Sequence, residues 1–330
     1  MLRFLGKYLQ GLIMNSLSRA LLTTWFFAFL ASPAMSVAAS SEADKSTNPP
    51  GTPKSIEEIA RESSNPLAAF YRFDYEGQYR TYRGDIAGAD DQNGSYQLLQ
   101  ASIPFAEKNG KGWLFRVGIP YVPDQPIYWA DVGYAEWRIR QEDPREKADG
   151  YWGPTHGHTD NIRIDLVYGG VKSSGLILSY GLAGELPTTS DTSNGKQQLI
   201  LGPALNLGKM TGWGVYGAMF SHVIDLTEKK DYEVPDTSIT TIQGYLSYGL
   251  GNGWQLVSNP VISYDWEGDS GNKLNLPLGG GVAKTTMISK MPLKVTAEFQ
   301  YFVASTDRFG PDLLFKLSLS PIMPGKHTRH

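Results

Sequence analysis

Residues 156–160 read His-Gly-His-Thr-Asp. Alternate residues of an extended segment share a face, so His156 and His158 have the spacing of a transition-metal chelate. A histidine pair in a loop is ordinarily polar loop and nothing more, so the two stand as weak candidates and no metal is assigned. Ser221 and His222 have the residue types of a nucleophile and its base. Adjacent residues of one strand point to opposite faces, so they cannot act on each other, and no G-x-S-x-G occurs in the chain. An outer-membrane lipase is therefore the weakest of the functional readings, and no catalytic residue is assigned. The glycine run PLGGGVAK, ending at Lys284, lacks the spacing of a phosphate loop; it sits in a strand pattern and reads as close backbone packing or a bend.

The richer chemistry is a set of charges placed at every second residue. Arg72, Asp74, Glu76 and Arg80 alternate with Tyr71, Phe73, Tyr75 and Tyr79. Arg116, Arg163, Asp165, Lys294, Glu298 and Lys316 fall in the same kind of alternation. Charges in such rows must face water or each other. Ten of them, of both signs, form either a salt-bridged filling or a polar pathway, with no preference for cations or anions.

Those rows require strands with one wet and one apolar face. Period-two alternation recurs in about twelve segments, near 67–82, 95–106, 112–121, 158–169, 175–187, 197–207, 212–224, 238–249, 253–266, 272–284, 292–303 and 311–322. Composition agrees: 36 glycines, 18 tyrosines and 8 tryptophans favour strands and turns. Cysteine is absent and the net charge is −3, which excludes disulfide and thiolate chemistry and argues against nucleic-acid binding. No segment after the first forty residues is apolar for long enough to cross a bilayer as a helix.

The connections alternate in kind. EKNGK, GVKSSG, GKMTG and GLGNG are tight, whereas 84–94, 188–195, 225–236 and above all 122–157 are long and polar. Short turns at one end and long loops at the other predict a transmembrane antiparallel β-barrel of about twelve strands, its turns periplasmic and its loops outside. Trp113, Trp213 and Trp254 each follow a tight turn, where they would lie in the membrane interface. Trp266 stands twelve positions after Trp254. That interval spans roughly the apolar band of a tilted strand at ~3.3 Å per residue, which places Trp266 in the opposite aromatic girdle. Pro260 interrupts this strand and suggests a bulge.

The first 39 residues carry an apolar stretch behind Arg19 and small residues around Ala38 and Ala39, the pattern of a cleaved signal peptide, with Met14 as an alternative start. Residues 40–66 form a polar leader. Within it Ser55 and Glu58 make a capping box for a short periplasmic helix, either a cap over the barrel mouth or an ordered linker. The barrel is assigned to 67–322 and a tail to 323–330.

Several stretches together resemble one family: ELPTTSDTSNGKQQLILGPALNL, GWGVYGAMFSHV, GLGNGWQLVSNPVISYDWEGDSGNKLNLPLGGGVAK, GPDLLFKLSLSP, and earlier NPLAAFYRFDY and SIPF. In this order they are similar to the MetA-pathway of phenol degradation family of bacterial outer-membrane proteins, over about 55–322. The segment 122–157 is longer than usual there, with the strand-like YWADVGYAEWRIR inside it, and the chain ends in PGKHTRH where members tend to end on an aromatic. The resemblance implies an outer-membrane barrel admitting small compounds, hydrophobic or aromatic ones included, with no catalytic residues and no cofactor. Expected partners are outer-membrane lipid, an unidentified small solute and the barrel-assembly machinery. The alternative function is a structural or surface-interaction barrel using the long loop.

Overall fold

The computed structural model describes residues 54–107, 111–129, 151–154, 157–190, 197–227 and 236–324, all within the compact unit 48–330. Among these residues one α-helix, α1 (Ile56–Ser63), precedes sixteen strands. They are β1 (Phe70–Arg83), β2 (Asn93–Ala106), β3 (Lys111–Asp124), β4 (Pro126–Trp129), β5 (Tyr151–Pro154), β6 (His158–Thr159), β7 (Ile162–Val171) and β8 (Leu176–Leu186). Then follow β9 (Ile200–Met210), β10 (Gly214–Asp225), β11 (Ser238–Gly251), β12 (Trp254–Ser258), β13 (Val261–Asp265), β14 (Leu274–Ile288), β15 (Met291–Ala304) and β16 (Gly310–Pro324).

All wall pairings are antiparallel between sequence neighbours; β1 also pairs with β16, from Phe70↔Pro324 to Arg83↔Gly310, which closes the sheet on itself. β12 and β13 are two halves of one strand, and β4, β5 and β6 are accessory, so the wall is a closed barrel of twelve strands. Closure removes every sheet edge, the condition for placing strands in lipid, where an unpaired backbone group costs several kcal/mol.

Side-chain parity then sorts the residues. Phe73, Leu99, Leu182, Val282, Phe299 and Leu317 alternate outward and are 41–59% exposed. An apolar surface that runs round the whole wall is far larger than the patches soluble proteins leave open to water. Trp113, Trp213 and Trp254 lie at the end of the tight turns and Trp266 at the other; all four are 44–53% exposed on the outer face. Aromatic neighbours extend these belts: Trp113 meets Tyr168 at 5.2 Å, and Trp213 stacks on Tyr216 at 5.6 Å. The Trp266 indole donates to Thr240 at 2.9 Å.

Parity also sets the cost of a charge. Leu317 lies midway along β16 and faces outward between Gly77 and Ala297. Leu317→Arg is expected to destabilise the barrel by ~2–4 kcal/mol, the cost of a midplane cation in lipid. Ser318→Arg, one residue along and inward beside Glu76, is expected to cost far less. Urea unfolding in detergent micelles or lipid vesicles compares the two, and equal losses would contradict the assignment of faces.

The turn before Trp254 explains its glycines. Asn252 has φ 50°, and Gly253, at φ 74°, places its backbone so that a Cβ would meet the Thr285 carbonyl oxygen at 2.3 Å. Only glycine fits there, and the turn is kept tight.

Candidate functional site

The barrel interior holds a cavity of about 760 Å³, and Arg72, Asp74, Glu76, Arg80, Arg116, Arg163, Asp165, Lys294, Glu298 and Lys316 all line it. Most are paired. Arg72 meets Asp74 at 2.8 Å, Arg116 meets Asp165 at 3.1 Å across β3 and β7, and Arg163 meets Glu185 at 3.6 Å. Lys316 lies 3.0 Å from Glu298 and 4.0 Å from Glu76. A ladder continues along β1: Gln78 donates to Glu76 at 2.5 Å and accepts from Arg80. The wall is thus a charged lattice surrounding open volume.

The centre of that lattice is a broken strand. Between Ser258 and Val261 the chain leaves the ladder at Asn259-Pro260. The sequence suggests a bulge at Pro260; the structure has none. Ser258 pairs with Leu246 and Val261 with Gln243, three residues apart on both strands. Val257 pairs with Gly281 and Ser263 with Asn275, six apart on both. No residue is inserted; proline lacks the N–H for a ladder bond, and the chain steps off β14 without losing register.

The freed backbone is satisfied from β15, across β14. The Asn259 N–H donates to Glu298 Oε1 at 2.8 Å, its side-chain amide donates to Oε2 at 2.9 Å, and its carbonyl accepts from Gln300 at 3.2 Å. That reach requires an empty floor. Gly279 and Gly281 are the β14 residues beside Gln300 and Glu298, and any Cβ on either would fall within 2.1 Å of a backbone carbonyl oxygen. The glycine run is therefore a packing device. Glu298 and Gln300 are 2% and 1% exposed.

The tight-turn end is occupied by α1. Its capping box is formed: Ser55 Oγ accepts from the Glu58 N–H at 3.2 Å, and the Glu58 carboxylate accepts from the Ser55 N–H at 2.9 Å. The helix docks on inward residues of the wall. Gln255 donates to the Ala60 carbonyl at 3.1 Å, Arg72 donates to the Ser63 carbonyl at 3.1 Å, and Lys294 donates to Ser64 Oγ at 2.7 Å. Leu67 packs on the cluster of Ile177, Val215 and Tyr245. On the side of β2, β3 and β7 a second cavity of about 290 Å³ remains beside the leader, and Leu67 and Leu114 line both cavities.

At the loop end, β4 and β5 pair as a hairpin within the long loop. Trp152 of β5 donates to the Ala87 carbonyl at 2.8 Å and packs on Phe309, which stacks on Tyr82 at 4.5 Å. Most of YWADVGYAEWRIR and His156 lie outside the described residues. His158 is buried in β6, which pairs with Val122. Among the described residues no three histidine, aspartate or glutamate side chains gather to hold a metal. Ser221 lines the cavity, while His222 lies against Thr240 at 3.0 Å, the threonine that also holds Trp266 on the outer face.

Sequence reasoning missed Tyr96, Ser64 and Glu185, which complete this interior. Tyr96 and Glu185 carry only the signal of inward parity, shared with many bland residues, and Ser64, which caps the end of α1 and lies in no strand, carries none.

A closed twelve-stranded barrel with an apolar outer face, aromatic belts and a charged interior is an outer-membrane β-barrel, and the bacterial outer membrane is where the protein resides. No known protein-family profile and no curated protein sequence matches the chain. The chain is similar to several solved structures, and one superposes well enough to show the fold. The COG4313 outer membrane channel from Pseudomonas putida F1 superposes with a TM-score of 0.53 at 11% identity, covering 78% of this chain and 96% of that one. The NanC porin gives 0.45 at 11% identity over 76% and 98%. Outer membrane phospholipase A from Escherichia coli gives 0.36 at 10% identity over 81% and 96%.

Proposed function

We propose that the protein is a passive outer-membrane channel for small solutes and a member of the MetA-pathway of phenol degradation family. The observation that carries the reading is the interior. In barrels of about eight strands side chains can fill the lumen, and a wider wall leaves room inside. Here about 760 Å³ stays open, lined by charges that pair along the wall rather than across the lumen. A second cavity beside α1 adjoins it at Leu67 and Leu114, the geometry of a path narrowed by the leader. The motifs shared with the family supply the membership, and the COG4313 channel's fold is in keeping with it. The balanced lining allows neutral solutes and ions of either sign to be hydrated inside.

Liposomes containing the mature protein are expected to swell in isosmotic arabinose or glycine at a rate proportional to protein content, and to release no fatty acid. Absence of swelling, with no conductance in planar bilayers, would favour the surface-interaction reading. Fatty-acid release abolished by His222→Ala would favour the lipase.

A further inference from the structure

The charges of the lumen are confined to one side. Every charged residue lining the large cavity belongs to β1, β3, β7, β8, β15 or β16. The residues that β9 to β14 contribute to its lining, among them Asn206, Ser221, Gln243 and Val261, carry none. Polarity changes again toward the tight turns. On β3 and β7 three successive inward rungs pair Arg116 with Asp165, then Leu114 with Val167, then Gly112 with Gly169. An ion pair gives way to two aliphatic side chains, and these to no side chains at all.

The large and the small cavity meet at the aliphatic rung, and Leu67 and Leu114 are the residues that line both. Leu67 comes from the segment after α1, and its N–H donates to Asn65 Oδ1 at 3.0 Å, which fixes the turn that carries it. With Val171 and Met210 it packs on the wholly buried Ile177 and Val215. Val171 and Met210 line the small cavity as well. The charged residues of that cavity are Glu62 of α1, Glu107 of the β2–β3 turn and Lys111 at the start of β3. None of them is shared with the large cavity. Elsewhere at this end α1 sits against β11, β12 and β14, where Gln255 donates to the Ala60 carbonyl. The space left beside the leader therefore runs past two leucines.

We infer that Leu67 and Leu114, backed by Val171 and Met210, form an apolar filter at the tight-turn end of the lumen, which passes small uncharged solutes bearing an apolar group and holds back hydrated ions. An ion leaving the charged side would exchange water for aliphatic carbon there, with no charged group among these four residues to replace the lost hydration. Apolar constrictions of this kind gate by dewetting. A methyl group on the solute gains from the same contact. Selection is then by hydration rather than by sign of charge, in keeping with a lattice whose charges are paired. The filter deepens the channel reading and rests on it.

Planar-bilayer conductance and liposome swelling of the full-length mature protein test it. Leu114→Asn and Leu67→Asn are each expected to raise conductance in potassium chloride severalfold. Leu114→Ala and Leu67→Ala remove more side-chain volume but add no polarity, so they should raise it less; a merely steric constriction gives the reverse order. Arabinose and fucose compare solutes, since fucose is the arabinose ring with one added methyl group. The fucose-to-arabinose ratio of swelling rates should fall by up to roughly fourfold in the asparagine variants, the worth of one CH₂ taken out of water. Should Leu114→Asn fail to assemble, Leu67→Asn carries the test, because Leu67 lies outside the strands. Alanine variants that conduct as well as the asparagine ones, or a sugar ratio that no variant changes, overturn the filter and leave the channel standing. No flux of sugar or ion through the wild type or any variant rejects the channel, and the filter with it.

Discussion

Glu298→Ala is expected to cost ~3–5 kcal/mol of barrel stability, the loss seen when one partner of a buried ion pair is removed. Three dependants lose their acceptor together. Lys316, buried at 9% exposure, keeps only Glu76 at 4.0 Å, and both the backbone and side-chain N–H donors of Asn259 are left without the carboxylate. The backbone group matters most, because beside Pro260 the chain has stepped off β14 and the Asn259 N–H donates to Glu298 in place of a ladder carbonyl. Glu298→Gln should fall between the two, since the amide still accepts one hydrogen bond but meets Lys316 without charge. Urea unfolding of the refolded barrel, followed by heat-modifiable gel mobility and tryptophan fluorescence, measures the loss. If Glu298→Ala unfolds at the wild-type midpoint, Glu298 does not hold the broken strand. The companion substitution Gly281→Val should prevent the closed form from assembling, because a Cβ there would lie 1.8 Å from the Ala297 carbonyl oxygen.

Deleting residues 54–66 is expected to raise single-channel conductance severalfold while leaving the barrel folded. α1 and the residues after it are held mainly by polar contacts to the inner wall: Gln255 to Ala60, Arg72 to Ser63, Lys294 to Ser64, and Arg61 to the Gly212 carbonyl at 3.2 Å. None of these contacts belongs to the ladder that closes the wall, so the twelve strands keep their pairing without the segment. The residues freed by its loss are polar and can be hydrated, which turns an occupied end into a wetted one. The smaller change Lys294→Met should loosen the same segment and give a flickering conductance in place of a steady one. If the deletion folds and conducts like wild type, the helix does not narrow the path, and the constriction lies among the wall side chains.

Much of the wall can be read from residue order because its physics is local. A strand in lipid must alternate, so Arg72, Asp74 and Glu76 against Tyr71, Phe73 and Tyr75 declare both the element and its two faces before any partner is known. The capping box at Ser55 and Glu58 is equally local, needing only three residues of separation. Pro260 marks the other limit. In one dimension it signals a defect, and the expectation is a bulge; the register is continuous, because the remedy comes from Glu298 and Gln300 on another strand, passing over glycines of a third.

By itself, then, the sequence determines a transmembrane barrel of about twelve strands and the alternation that gives its wall one apolar and one polar face. These follow from alternation, turn chemistry and bilayer thickness, all properties of neighbouring residues. Only the tertiary structure decides which inward charges neutralise each other and that α1 docks against the inner wall. Those depend on strand register and on reach across intervening glycines. Such distances between side chains far apart in the chain are set only when the sheet closes.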